Sequence, residues 1–350
     1  TNPATVTMAG FEVVKVATNA DGTAKTVQYP ISETFDIGYD ASGRMNKLEQ
    51  PGTPEYDPVT GNTYLRNQQS WTATYEFRGL MTNLSYTSTT VQRWSQGWSY
   101  NEGGQMTAFG GGGASVSYDY GSTPVVGKLQ SATQNGIATT YVYDSLGRLS
   151  SASGASYSQS YTYDGFGNLY RKTGTHGADW ATQLNSEKNQ IGSGYDAAGN
   201  SGAGWDADNR LVQNGLMTYI YDSSNQRVVR TDGTLREVTL RVGGQVLGVY
   251  RYTHDGTQWT KTGAEHRYLG GRRVDAPSDR LGSDLSGRTL LPYGEELSQT
   301  PDDKVKFATY FRDSQWLDYA DQRYYSPGTG RFLTADPYLA SGGVANPPSG

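Results

Sequence analysis

Few residues in this 350-residue chain could do chemistry, and their spacing suits none of the common site types. Cysteine is absent, which removes disulfides, thiolate metal ligands and a sulfur nucleophile together. His176, His254 and His266 are the only histidines, and no two stand four apart as a helical zinc site needs. His254 leads into Asp255-Gly256, a turn that leaves it solvated. His266 opens the strand-like run His266-Arg267-Tyr268-Leu269 and reads as a half-buried wall residue. Ser193, in Gly192-Ser193-Gly194, lacks the strand-to-helix setting of a nucleophile elbow. Asn19-Ala20-Asp21-Gly22 and Asp206-Ala207-Asp208-Asn209 look like the start of calcium loops, yet neither goes on to the required glycine and glutamate, so turn chemistry accounts for both. Gly110-Gly111-Gly112-Gly113 has no Lys-Ser/Thr after it and reads as a hairpin tip or a bulge beside another backbone. Glu295 and Glu296, adjacent in a strand, would point to opposite faces and so make no glycosidase pair. Neither a metal nor a cofactor is expected.

Aromatic residues offer more. The chain holds 27 Tyr and 7 Trp beside 8 Phe and 45 Gly, with only 18% charged residues and a net charge of −5. Such a chain favours strands and tight turns, because ring and β-branched side chains pack on a pleated surface. No basic stripe marks a nucleic-acid footprint. No apolar run approaches the ~18 residues of a membrane helix. Thr1-Asn2-Pro3-Ala4-Thr5 shows no signal peptide and no initiator Met, so the chain reads as an internal piece of a longer polypeptide.

What must position these residues is a repeat: an aromatic, an acidic residue, two variable residues, Gly, Arg or Asn, then an apolar residue. Good copies are Tyr39-Asp40-Ala41-Ser42-Gly43-Arg44-Met45, Tyr143-Asp144-Ser145-Leu146-Gly147-Arg148-Leu149 and Tyr163-Asp164-Gly165-Phe166-Gly167-Asn168-Leu169. Tyr195-Asp196-Ala197-Ala198-Gly199-Asn200 lacks the closing apolar residue, and looser copies start at Trp205-Asp206 and Tyr221-Asp222. Degenerate ones start at Tyr75-Glu76, Tyr100-Asn101 and Tyr118-Asp119. The acidic side chain accepts backbone N–H groups in a turn, and Gly supplies the positive φ that closes it. Asn209 and Asn225 replace that Gly in two copies, as the next residue most tolerant of the left-handed region. Each copy is strand, turn, strand. Single hairpins are marginal, so they must stack laterally into a shared sheet. In that sheet the motif tyrosines Tyr39, Tyr143, Tyr163, Tyr195 and Tyr221 read as a ladder, each packing on the next hairpin's tyrosine. The alternative is a sugar platform built from tyrosines and from Trp71, Trp94, Trp98, Trp180, Trp205, Trp259 and Trp316.

These repeats resemble the YD repeats of bacterial RHS proteins, and of ABC-toxin and teneurin shells. The C-terminal third strengthens the resemblance. Asp279-Arg280-Leu281-Gly282-Ser283 is similar to the family's DHLGS, with Arg280 in place of His, and Leu291-Pro292-Tyr293-Gly294-Glu295 is similar to its PYGE. The run from Asp318 to Pro337, including Arg323, Tyr324, Tyr325, Gly330, Arg331, Phe332, Asp336 and Pro337, resembles the family's RHS core motif.

The resemblance implies an all-β fold: one long antiparallel sheet of stacked YD hairpins, spiralling into a hollow shell or barrel, with this few repeats either an incomplete wall or a smaller cage. It implies one domain over 1–350, with lead-in strands at 1–30, YD repeats at 31–263, the core-associated region at 264–340 and an irregular tail at 341–350. It implies a shell that encloses or presents a C-terminal polypeptide, commonly a toxin, in a secreted or cell-surface bacterial protein. The partners are then that cargo, secretion or cell-surface components and, on the alternative reading as an adhesion or carbohydrate-binding module, glycans. Family members with toxins often cut themselves at an Asp-Pro-x-Gly element of aspartyl-protease type. Here Asp336-Pro337-Tyr338-Leu339 matches only in part, because Leu339 replaces Gly and Ala335 stands where relatives often carry Arg. Asp336 is the catalytic candidate, acting only with a second carboxylate downstream, and this chain alone is expected to be inert.

Overall fold

The structure is a computed structural model describing residues 4–336 apart from 7–13, 22–23, 29–33, 57–62, 67, 89–93, 122–126, 177–178, 183, 186–189, 192, 203, 243–244, 263–265, 270–271, 275, 303 and 315. Pro337, the 341–350 tail and the side chain of His266 lie outside the described residues.

Every regular element among the described residues is a strand. The longest sheet runs through 16 strands, from Ala4–Val6 to Trp180–Ala181, almost wholly in chain order. Its single excursion is the hairpin Thr53–Tyr56 and Thr63–Arg66, after which Gln69–Tyr75 returns to pair with Met45–Gln50. Pairing is antiparallel throughout, and no pair among the described residues closes the sheet into a barrel. Among the described residues the lead-in region holds three strands, Ala4–Val6, Val14–Thr18 and Ala24–Gln28. A further sheet has eight strands between Gln213–Asn214 and Arg272–Arg273, and another has five between Lys304–Val305 and Arg331–Phe332.

Side chains alternate across the long sheet with the strand period of two. In Ser158–Tyr163, Gln159 and Tyr161 are buried while Ser158, Ser160 and Thr162 face solvent. The chain forms two compact units, Thr1–Ser115 with Arg267–Pro277, and Val116–His266 with Ser278–Gly350. The first has an aromatic core in which Phe35, Trp71, Tyr86 and Trp94 follow one another at 5.0–6.3 Å between ring centres. In the second, Ala152, Tyr157, Tyr161, Leu169 and Leu291 form one cluster, while Leu211, Tyr219, Phe311, Tyr319 and Tyr324 form another.

Candidate functional site

The turn of each repeat is one hydrogen-bonded frame used many times. In the copy at Tyr39, the Asp40 N–H donates to the Arg44 carbonyl and the Gly43 N–H to the Asp40 carbonyl, both at 2.9 Å. One carboxylate oxygen of Asp40 accepts the Ser42 and Arg44 N–H groups at 2.9 and 3.0 Å; the other accepts Arg44 Nε at 2.7 Å. These bonds, the Arg44 N–H first, hold the Asp40 carboxyl below its ordinary range. Gly43 sits at φ 75°, Gly147 at 75° and Gly167 at 88°; a side chain there would be strained. Asn209 and Asn225 stand at φ 60°, as expected where Asn takes the glycine's place. Immediately before each loop the pairing slips by one residue, so that Tyr39 faces Met45, Tyr143 faces Leu149, Tyr163 faces Leu169 and Tyr221 faces Arg227.

What couples one hairpin to the next differs from the expected tyrosine ladder. The motif tyrosine does not stack on its neighbour's tyrosine. In five copies the hydroxyl donates instead to a backbone carbonyl earlier in the chain: Tyr75 to Met45 at 2.6 Å, Tyr100 to Met81 at 2.8 Å, and Tyr163 to Leu149 at 2.7 Å. Tyr143 reaches Leu129 at 2.7 Å and Tyr221 reaches Leu211 at 2.6 Å. Above the ring lies the earlier turn's arginine, with Arg44 over Tyr75 and Arg148 over Tyr163 at 4.9 Å, and Arg210 over Tyr221 at 5.6 Å. The same arginine donates forward, Arg44 to the Glu76 carbonyl at 3.1 Å and Arg148 to the Asp164 carbonyl at 3.0 Å. A cross-strand carbonyl leaves no trace in residue type, so spacing alone pointed to the wrong partner. Tyr195 departs from the pattern, since its hydroxyl accepts the Ile191 N–H at 3.0 Å; Asp196 and Gly199 still close the usual turn.

Two further turns use the same frame without the Tyr-Asp pair. Asp279 N–H donates to Ser283 and Gly282 N–H to Asp279, and Leu291 N–H donates to Glu295 and Gly294 N–H to Leu291. Glycine three residues after the first turn residue was the sequence signal for both. Glu295 and Glu296 accordingly do not lie in a strand. Glu295 ends a turn and pairs with Lys172, while Glu296 pairs with Lys306 at 2.6 Å, so they serve separate buried ion pairs.

The core-motif residues form a buried platform in the second unit. Tyr324 is 1% exposed, among Leu211, Tyr219 and Tyr319, and Tyr325 packs on Phe332 at 5.4 Å. Gly330 at φ 66° lies where a Cβ would meet the Tyr293 ring at 3.0 Å. Arg331 donates to the Asn168 side chain at 3.2 Å, tying this region to a YD turn. Around the platform lie fully buried charges. Arg227 pairs with Asp313, and Arg230 with Glu237 at 2.9 Å. Lys306 reaches Glu296 and the partly exposed Asp302, and Arg312 reaches Asp318 at 3.0 Å. Burial outweighs Arg312 and pushes the Asp318 carboxyl up to about 6. None of these buried charges was singled out from the sequence, because only tertiary packing decides which arginine is buried.

Asp336 faces Arg323, with Nη2 to Oδ2 at 3.0 Å, and the Arg323 guanidinium also covers the Phe332 ring at 3.8 Å. The tryptophans make a poor platform. Trp71 and Trp98 are buried, Trp94, Trp180, Trp205 and Trp259 are partly buried, and only Trp316 is exposed. His254 is half-buried rather than solvated, because its ring packs on Trp259 at 4.9 Å. The glycine run is a hairpin tip, and a Cβ on Gly111 would stand 2.2 Å from the Ser95 carbonyl, a close backbone approach that requires glycine.

No protein-family model matches the chain, and no curated protein matches it at a significant level. Solved structures do. The chain is similar to the crystal structure of TcdB2-TccC3-TEV, with a TM-score of 0.52 and 14% identity over 96% of this chain and 27% of that one. It is similar to the Tc holotoxin pore of Photorhabdus luminescens, with 0.51 and 16% over 93% of this chain and 20% of that one. For the crystal structure of TcdB2-TccC3 the values are 0.50 and 16%, over 93% and 21%. The chain thus spans 20–27% of the length of these structures. At this identity the likeness is one of fold, and the fold is RHS-like.

Proposed function

We propose that this chain is a wall segment of an RHS-type shell, a scaffold that encloses or presents a polypeptide following it in the parent protein. The observation that carries the reading is the carbonyl-seeking coupling of Arg44, Arg148 and the motif tyrosines. It joins hairpin to hairpin laterally through main-chain atoms. Lateral joining is what a wide wall needs, since an array of hairpins is stable only as a shared sheet. Likeness in fold to the TcdB2-TccC3 structures supports it. The enclosed polypeptide is a toxin in this reading, and the parent is exported or displayed at a bacterial surface.

Limited proteolysis of the parent protein tests the proposal. The segment after residue 350 should resist digestion within the parent and be degraded when expressed alone. Equal digestion in both settings would overturn enclosure. A glycan array on the same protein should be blank, given the burial of Trp71 and Trp98; specific sugar binding would favour the adhesion alternative. Where the parent supplies a second Asp-Pro-x-Gly element, Asp336 is proposed as one of two water-activating carboxylates. Asp336→Asn in that parent should leave one uncut band, and this chain alone should stay uncut. Cleavage of the variant at the normal rate would reduce Asp336 to the partner of Arg323.

A further inference from the structure

Beside the 279–283 turn lies a cavity of about 190 Å³, lined in part by Tyr118, Leu129, Tyr141, Asp279, Leu285 and Leu291. All of these stand in the second compact unit. The wall mixes apolar side chains, Leu129, Leu285 and Leu291 among them, with polar ones such as Gln134, Thr139 and Thr289, and two groups bear most on a ligand. One is Asp279. In five YD turns the second carboxylate oxygen is held by the closing residue, an arginine at 44, 148 and 210 and an asparagine at 168 and 200. At Asp279 the closing residue is Ser283, which accepts the Ala308 N–H and offers the carboxylate only a neutral hydroxyl. Asp279 keeps the turn's two N–H bonds, from Leu281 and Ser283 at 2.8 Å, but has no ion pair among the described residues. Burial, against those bonds and the charge of the neighbouring Arg280, pushes its pKa up. The other group is the Tyr141 hydroxyl, which makes no hydrogen bond among the described residues and which burial keeps protonated. At the rim, the Tyr118 oxygen accepts the Arg280 N–H at 3.2 Å.

We propose that this cavity binds a primary ammonium carried on an apolar stem, with Asp279 as its counter-charge and Tyr118 and Tyr141 flanking it. The apolar side chains of the wall take the stem, tyrosine rings suit a cation, and a half-buried carboxylate bonds an ammonium more strongly than any neutral donor. Arg280 also stands at the rim and repels a cation, but it is exposed, and solvent screens it more than it screens the half-buried Asp279.

Calorimetric titration of the chain with n-hexylamine, 1-hexanol and hexanoate tests this. Hexylamine should bind saturably, and hexanol about tenfold or more weaker, a comparison that needs no variant. Asp279→Asn keeps the turn, because Asn accepts the same N–H groups, and should weaken hexylamine about tenfold with an unchanged circular-dichroism spectrum. Arg280→Ala should tighten it. Running N-acetyl-lysine amide beside hexylamine separates peptide lysines from free amines, and binding of either supports the site. Absence of saturable binding, equal binding of hexanol, or preference for hexanoate with loss in Arg280→Ala would each overturn it.

Discussion

The YD turns and the five-stranded sheet at 304–332 both rest on arginine–carboxylate pairs, and they use them in opposite ways. In the turns, Arg44 with Asp40 and Arg148 with Asp144 are partly solvated, and each pair closes a local loop before reaching to the next. Around the five-stranded sheet, Arg227 with Asp313 and Arg312 with Asp318 are almost wholly buried. A solvated pair contributes little in itself and is screened. A buried pair is costly to assemble and more costly to break, because the survivor stays buried and uncompensated. The first arrangement can be repeated many times at low stake. The second fits one place only.

The sharpest way to break this contrast is Asp313→Ala. It leaves Arg227 and Arg230 without their shared carboxylate, and urea unfolding should show a loss of about 3–5 kcal/mol. A loss below about 1 kcal/mol would mean that the surrounding Tyr219, Tyr319 and Tyr324 rings already satisfy the Arg227 cation. Tyr143→Ala comes next, at about 2–4 kcal/mol for a packed aromatic truncation. Tyr143→Phe, which removes only the hydroxyl bond to Leu129, should cost about 1 kcal/mol. If both leave the unfolding midpoint unchanged, the tyrosine's bond to the earlier carbonyl adds nothing to stability.

Acidity separates the regions by sign. Asp318, raised from 3.8 to about 6, holds its proton more tightly folded than unfolded, so its contribution favours the fold at low pH and is lost as pH rises through about 6. Asp40 and Asp144 are lowered, so theirs is present above the ordinary carboxylate range and is lost as pH falls through the depressed folded value. Unfolding free energies from urea titration of the wild type and Asp318→Asn should change relative to each other by about 2 kcal/mol between about pH 4 and pH 7, with the wild type losing ground as pH rises. A flat difference would remove the proposed sign. Smallest of all is Arg148→Lys, which keeps the charge of a solvated pair and should shift the midpoint little. A large loss there would mean that the planar reach to Asp164 matters more than the charge.

Legibility in the sequence followed the same divide. The turns were readable because their chemistry is local: Asp accepts within four residues, Gly or Asn supplies the positive φ, and Asn209 and Asn225 stand where that logic put them. The strands followed from the abundance of Tyr and Gly and from the strand-turn-strand form of each copy. What the motif tyrosines touch was not readable, since a carbonyl of another hairpin belongs to every residue alike. The turns at 279 and 291 hid behind their missing Tyr-Asp, although Gly282 and Gly294 keep the spacing. Whether Lys306 or Arg312 is buried rests on contacts with 284–302, and no local pattern encodes that.

The forward reach of each turn arginine has a consequence for how such a chain can change over generations. Arg44 finds its carbonyl 32 residues on, and Arg148 finds its own 16 residues on. Because the receiving atom is main chain, the link survives almost any substitution in the receiving hairpin and any lengthening of the loop between. A hairpin copied, lost or padded in the gene can still be grasped by its predecessor. Drift at nearly every position is then compatible with one architecture, as identities of 14–16% beside a kept fold require.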